Sequence, residues 1–196
     1  RYLPIGHPTE FEGMLRYKIP ATKIAIYTPA ELKRILNAVR KTRPQLVPWV
    51  ACSALTGARA SELALLRWEH IDFDRGFVTV ASQKVRTKAR RLVPLQPKLR
   101  QLLRPHRRPH GLITDYADPR AAVGRICSQT GVALCRNGFR HSYISYRVAR
   151  TADPARVALE SGNSPEVIFH SYRELVTPTE ARAWFRGPSR LQRQSR

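Results

Sequence analysis

The sequence predicts a mainly α-helical domain with one small antiparallel β-sheet, an α+β arrangement. Three observations predict it. A small polar residue followed at once by proline recurs as Thr28-Pro29, Asp118-Pro119, Asp153-Pro154, Ser164-Pro165 and Thr177-Pro178. Between residues 69 and 95 the hydrophobic period changes from that of helices to that of strands. A hydrophobic fraction of 42% suffices for a real core.

Taken in order, residues 1–20 carry Pro4, Pro8 and Pro20 and read as an extended arm or linker remnant. Each polar-proline pair is a helix start. The polar side chain accepts from an orphan backbone N–H, and proline at the first helical position loses nothing by lacking its own. Helices are therefore predicted to begin near 29, 119, 154, 165 and 178. Glu31 and Glu180 complete capping boxes with Thr28 and Thr177. Gly131 and Gly162 read as stops. Further helices are expected over about 45–55 and 58–67, separated by Thr56-Gly57. Asn137 is placed to cap another, running to about 150, with Phe139, Tyr143 and Tyr146 on its apolar face. IDFD, GFVTVAS and RRLVPL read as short strands with turns at 74–76 and around 84–89. RPHRRPHG at 104–111 is linker-like, and the basic segment 187–196 reads as a disordered tail. The main domain is thus predicted over 21–186.

Arg and Lys total 35 against 14 acidic residues, a formal net charge of +21. Such a surplus repels itself in the compact state and favours a polyanion as partner. Nucleic acid is the first candidate, an anionic membrane surface the second, and a basic solvated surface the bland alternative. No apolar run approaches the ~20 residues of a spanning helix, and no signal peptide is visible. Cys52, Cys127 and Cys135 form no CxxC pair, which argues against a disulfide or a zinc site and fits a reducing cytoplasm. Cys52, in LVPWVACSAL, reads as a small core residue. The chain starts with Arg1 rather than Met, which suggests a longer parent protein.

Two arginines occupy similar settings. Arg59, in TGARASEL, and Arg140, in NGFRHSYISY, each fall in the first turn of a predicted helix, where the helix terminus already favours an anion. Tyr172, in SGNSPEVIFHSYREL, lies two turns into a third capped helix. Lone residues of these types are usually surface arginines and packing tyrosines. Together they are more specific.

These blocks resemble the catalytic domain of the tyrosine recombinases, or phage integrases, over roughly residues 25–186. The match comprises TG-x-R-x-x-E-L around Arg59 with Glu62 in support, the Arg-His-Ser of Arg140, and a Gly-polar pair with Tyr172 nine positions after its polar residue. The resemblance implies Arg59 and Arg140 as phosphate-binding catalytic arginines and Tyr172 as the nucleophile. It also implies a lysine on the hairpin that ends in RRLVPL.

Three positions depart from the family pattern. Where it has His three residues before the second arginine, this chain has Asn137. Where it has His or Trp after the glycine of the third block, this chain has Asn163, which keeps a hydrogen-bond donor for a phosphate oxygen. Counted back from Pro94, the hairpin lysine position holds Arg86, a poor general acid. Lys84 and Lys88 flank it, and Lys88 is preferred as the acid. An amide at 137 cannot accept a proton, so capping with a minor phosphate role is expected there. Lys84, Arg86, Arg90 and His141 are candidate DNA contacts. His141 follows Arg140 by about 100° around the helix, and a buried hydrogen-bonding role is favoured over catalysis for it.

The implied reaction is DNA breaking and joining through a 3′-phosphotyrosyl link. Double-stranded DNA is the partner, and self-association into a tetrameric synapse is implied on it. Bond energy is held in the covalent link, so no cofactor or metal is expected. The alternatives are a DNA-binding module of the same fold that has lost cleavage and, with no aromatic stacking motif behind it, an RNA-binding domain. The family's N-terminal DNA-clamping domain is not among these residues, so weak DNA binding by this chain alone is expected.

Overall fold

The computed structural model describes residues 24–81, 90–172 and 176–186. The arm at 1–20, the tail at 187–196 and the turn bearing Lys84, Arg86 and Lys88 lie outside the described residues.

Helix α1 spans Pro29–Thr42, α2 Val47–Thr56 and α3 Ala60–Leu63. Strands β1 (Ile71–Asp72), β2 (Phe77–Ala81) and β3 (Arg90–Pro94) follow. After them come α4 (Pro97–Leu103), α5 (Pro119–Ser128), α6 (Gly138–Thr151), α7 (Pro154–Ser161), α8 (Pro165–Tyr172) and α9 (Pro178–Phe185). The five polar-proline starts fall where the sequence predicts them. Thr28 and Thr177 form complete capping boxes with Glu31 and Glu180. Asp118 and Asp153 accept from the N–H groups of Ala121 and Arg156.

The strands form an antiparallel sheet in the order β1-β2-β3. Its register pairs Ile71 with Val78, Val78 with Val93 and Ala81 with Arg90. Strand alternation turns Val78, Val80 and Val93 into the core. Helix α2 is buried along its whole length, which is why LVPWVACSAL is apolar on every side. Helix α6 lies against it, with Tyr143 and Tyr146 fully buried. Trp49, Trp68 and Cys52 are core residues as well.

Helix α9 closes this core within the same chain. Trp184 stacks on Tyr146 with ring centroids 4.5 Å apart, and its indole N–H donates to the Ala54 carbonyl at 3.2 Å. Lys98 of α4 donates to the Trp184 carbonyl at 2.7 Å, a cation at a helix C-terminus.

Four expectations are corrected. Helix α3 is one turn rather than 58–67. The backbone beyond it is diverted to a neighbouring segment: Trp68 N–H donates to Gly111 at 2.8 Å, and Ile113 N–H to Leu66 at 3.0 Å. Those same bonds tie the end of the linker-like stretch to the body. Helix α4 was not expected, because Gln96 gives no side-chain cap. Helix α5 ends at Ser128, short of Gly131. Finally, Asn137 precedes α6 with φ 56° and makes no side-chain cap bond. Its left-handed backbone differs from the extended conformation that an N-cap residue normally adopts.

Candidate active site

The sequence TGAR places a guanidinium at a corner. Gly57 ends α2 with φ 66°, a conformation that costs an L side chain roughly 1–2 kcal/mol. A Cβ there would also run into the ring of Tyr143. Glycine is therefore required twice over, and the chain turns out of α2 to place Arg59 at the start of α3. Glu62, one turn on, accepts from the Arg59 N–H at 2.7 Å and pairs with Arg59 Nη1 at 3.2 Å.

Arg140 enters from α6. Its side chain is buried, and Nη1 donates to the Gly57 carbonyl. Burial, followed by repulsion from Arg59, lowers its pKa to about 10. The group stays charged at neutral pH.

The α7–α8 corner joins the two arginines. Gly162 caps α7 with φ 67°, and its carbonyl accepts from Arg59 Nη2 at 2.8 Å. The Asn163 Oδ1 accepts from Arg140 Nη2 at 2.9 Å and from Arg59 Nη2 at 3.3 Å. Only an oxygen can face two cationic donors, so the amide nitrogen of Asn163 is the end left to donate. Glycine at 162 is fitting, because a Cβ would lie 3.3–3.4 Å from the guanidinium nitrogens of Arg91 and Arg59.

Tyr172 ends α8. Its residue surface is only 5% exposed, and its hydroxyl lies 2.7 Å from Nδ1 of the half-buried His141. The rings stack with centroids 5.8 Å apart. Burial raises the phenol's pKa, and the charges of Arg140 and Arg59 pull it partly back. His141 is held below its ordinary value by burial and by Arg140, so the imidazole is neutral at pH 7. The two neighbours on α6 thus reach one region: Arg140 meets Asn163, and His141 meets the hydroxyl of Tyr172. Asn137 is exposed and lines a small cleft with Arg140, Arg120 and Trp49. Arg90 is exposed at the start of β3.

Sequence reasoning missed a supporting layer. Arg91 of β3 grips Glu62 with both terminal nitrogens, at 2.9 and 2.7 Å, and donates through Nε to the Glu160 carbonyl at 2.9 Å. Alternation from Val93 would have put Arg91 on the inner face of β3, the one signal available. Beneath it, Glu160 accepts from Arg147 twice at 2.7 Å, from Tyr143 at 2.8 Å and from Arg156 at 3.1 Å. Burial pushes both carboxyls up, and the guanidinium bonds more than offset it, leaving Glu62 and Glu160 below the ordinary carboxylate value.

The family model described as the phage integrase family matches residues 26–177. The chain belongs to the phage integrase family. Among solved structures, XerA recombinase is similar at 16% identity and TM-score 0.65, over 86% of this chain and 68% of that one. The catalytic domain of bacteriophage HP1 integrase is similar at 19% identity and TM-score 0.60, over 86% of this chain and 92% of that one. Lambda integrase residues 75–356, solved bound to DNA, is similar at 15% identity and TM-score 0.56, over 78% and 61% respectively. At these identities the likeness establishes a shared tyrosine recombinase fold. No curated protein matches this chain. Among the described residues no helix is long and apolar enough to cross a membrane.

Proposed function

We propose that residues 21–186 are the catalytic domain of a site-specific DNA recombinase or integrase acting through a 3′-phosphotyrosyl intermediate. One observation carries the reading. Two arginines that lie 81 positions apart by their numbers, Arg59 and Arg140, meet at a single oxygen of Asn163, while the residue after Arg140 holds the hydroxyl of Tyr172. Paired guanidinium groups next to a phenol suit one phosphodiester and little else.

In this reading DNA is drawn in by the net charge of +21 and held through its phosphates. Arg59 and Arg140 bind the two non-bridging oxygens and stabilise the charge that grows in the five-coordinate transition state. The Asn163 amide nitrogen donates to the same phosphate. The Tyr172 oxygen attacks phosphorus, and the P–O5′ bond breaks. Lys88 of the hairpin protonates the departing 5′ oxygen, with Lys84 as the alternative. Attack by the 5′-hydroxyl of a partner strand reverses the step. Arg86, Arg90 and Lys84 contact flanking phosphates. The reaction proceeds in the cytoplasm, without cofactor, between copies that assemble on DNA. The solved relative bound to DNA supports that partner.

The test is covalent capture on nicked double-stranded DNA randomised about the nick. The wild-type chain is expected to form an adduct that survives denaturation, and Tyr172→Phe none. Adduct persisting in the variant would move the nucleophile elsewhere. A second reading, a DNA-binding module without cleavage, draws on Asn137, which offers no proton acceptor. DNA binding with no adduct from the wild-type chain would favour it.

A further inference from the structure

We infer that His141 is the proton acceptor for Tyr172, taking the role that the amide at position 137 cannot fill. The inference rests on the recombinase reading above.

A phenol must lose its proton as it attacks phosphorus, and the acceptor must lie within hydrogen-bond reach. The Tyr172 hydroxyl lies 2.7 Å from His141 Nδ1. No closer partner to that hydroxyl stands among the described groups. Ser145 Oγ bonds the backbone carbonyl of His141 rather than its ring. Asn137 is exposed and has no acceptor of protons. The arginines carry no lone pair to offer.

The protonation states fit the direction of transfer. Burial holds Tyr172 above its ordinary pKa despite Arg140 and Arg59, so the phenol carries its proton at neutral pH. Burial and Arg140 hold the imidazole below its ordinary value, so it is neutral and has one free lone pair. With the ring proton on Nε2, Nδ1 accepts from the phenol. Arg140 on its own helix and Tyr172 from α8 are the charged or titratable groups acting on the ring. Arg59 acts on Tyr172 from across the pocket.

The step balances. The Tyr172 O–H bond breaks and its proton passes to His141 Nδ1. The Tyr172 O–P bond forms as the P–O5′ bond breaks, and the departing 5′ oxygen takes up a proton from a general acid. In the rejoining step the imidazolium returns the proton to the phenolate leaving group. Burial, and then Arg140, disfavour the imidazolium, which makes it a ready donor.

The test is the single-turnover rate of covalent adduct formation on the same randomised nicked duplex, measured across pH 5–9 with wild type and His141→Gln. Glutamine can hold the phenol by a hydrogen bond but cannot take its proton, which separates acceptance from positioning. The wild-type rate is expected to fall on the acid side of roughly pH 6.5 as the imidazole is occupied by a proton. His141→Gln is expected to react roughly 100-fold more slowly, with that acid limb gone and the rate still rising through pH 9. A His141→Gln rate equal to or above wild type would overturn the inference, an increase meaning that His141 restrains the phenol. So would a wild-type profile with no acid limb, a measurement that needs no variant to fold. Absence of adduct from the wild-type chain would instead sink the recombinase reading, and this inference with it.

Discussion

Asn163 Oδ1 accepts a hydrogen bond from Arg140 Nη2 at 2.9 Å. The same oxygen lies 3.3 Å from Arg59 Nη2, so one neutral amide relieves two facing cations. Asn163→Asp would put a full negative charge between them. The free protein should gain about 1 kcal/mol, discounted because the Arg59 side chain is 40% exposed. DNA affinity should fall roughly tenfold, because the carboxylate competes with phosphate. Thermal melting and a titration at fixed salt check the two effects. A variant that melts higher and binds DNA as well as wild type would contradict the phosphate assignment.

Arg91→Ala should be strongly damaging although Arg91 lies outside the three blocks. Its guanidinium is 12% exposed and Glu62's carboxylate 2%, so the pair is nearly dry. Removing one partner of such a pair costs about 3–5 kcal/mol. Glu62 would keep only Arg59, and β3 would lose its tie to the end of α7. Urea unfolding gives the stability. Covalent capture at low temperature then asks whether any folded fraction still reacts.

Gly57→Ala tests the corner that aims Arg59. The left-handed backbone and the overlap with the Tyr143 ring together should cost about 3 kcal/mol. Because the Gly57 carbonyl also accepts from Arg140, the variant should lose adduct formation more than its stability alone explains. Equal losses in both would make Gly57 a folding residue only.

Acid should unfold this protein in two stages. His141 is depressed in the folded state, so below about pH 6.5 the unfolded chain takes up its proton first and stability begins to fall. Glu62 and Glu160 are also depressed, their guanidinium bonds outweighing burial. Their contribution is fully present above about pH 4.5 and is lost as pH drops through the lower folded values. Denaturant melts at several pH values, with and without His141→Gln, should show the first stage shrink in the variant, the remainder belonging to His106, which burial and its neighbours Arg40 and Arg108 also depress. A first stage of unchanged size would assign it elsewhere.

The helix starts were legible because caps and prolines act over three or four residues, and Thr28, Asp118, Asp153 and Thr177 carry the signal locally. The two arginines and the tyrosine were legible through their blocks. The layer under them was not. Arg91 to Glu62 spans 29 positions and Arg147 to Glu160 spans 13, and no local period reports which carboxylate a distant guanidinium will find. Helix α4 was missed although Leu99, Leu102 and Leu103 carry a helical spacing after Pro97, because the cap signal was absent. Asn137 misled for a related reason: its residue type suits a cap, but its left-handed backbone serves the turn instead.

The seating of α9 gives the protein a built-in optical gauge. Trp184 is one of three tryptophans, and it alone is carried by the final helix. Stacked against Tyr146 and bonded to Ala54, it should emit in the blue. If that helix swings away, the Trp184 indole moves into water and its emission shifts to the red, while Trp49 and Trp68 are carried by other segments of the core. Detachment of this one element could thus be timed by fluorescence, without labels and in the presence of DNA.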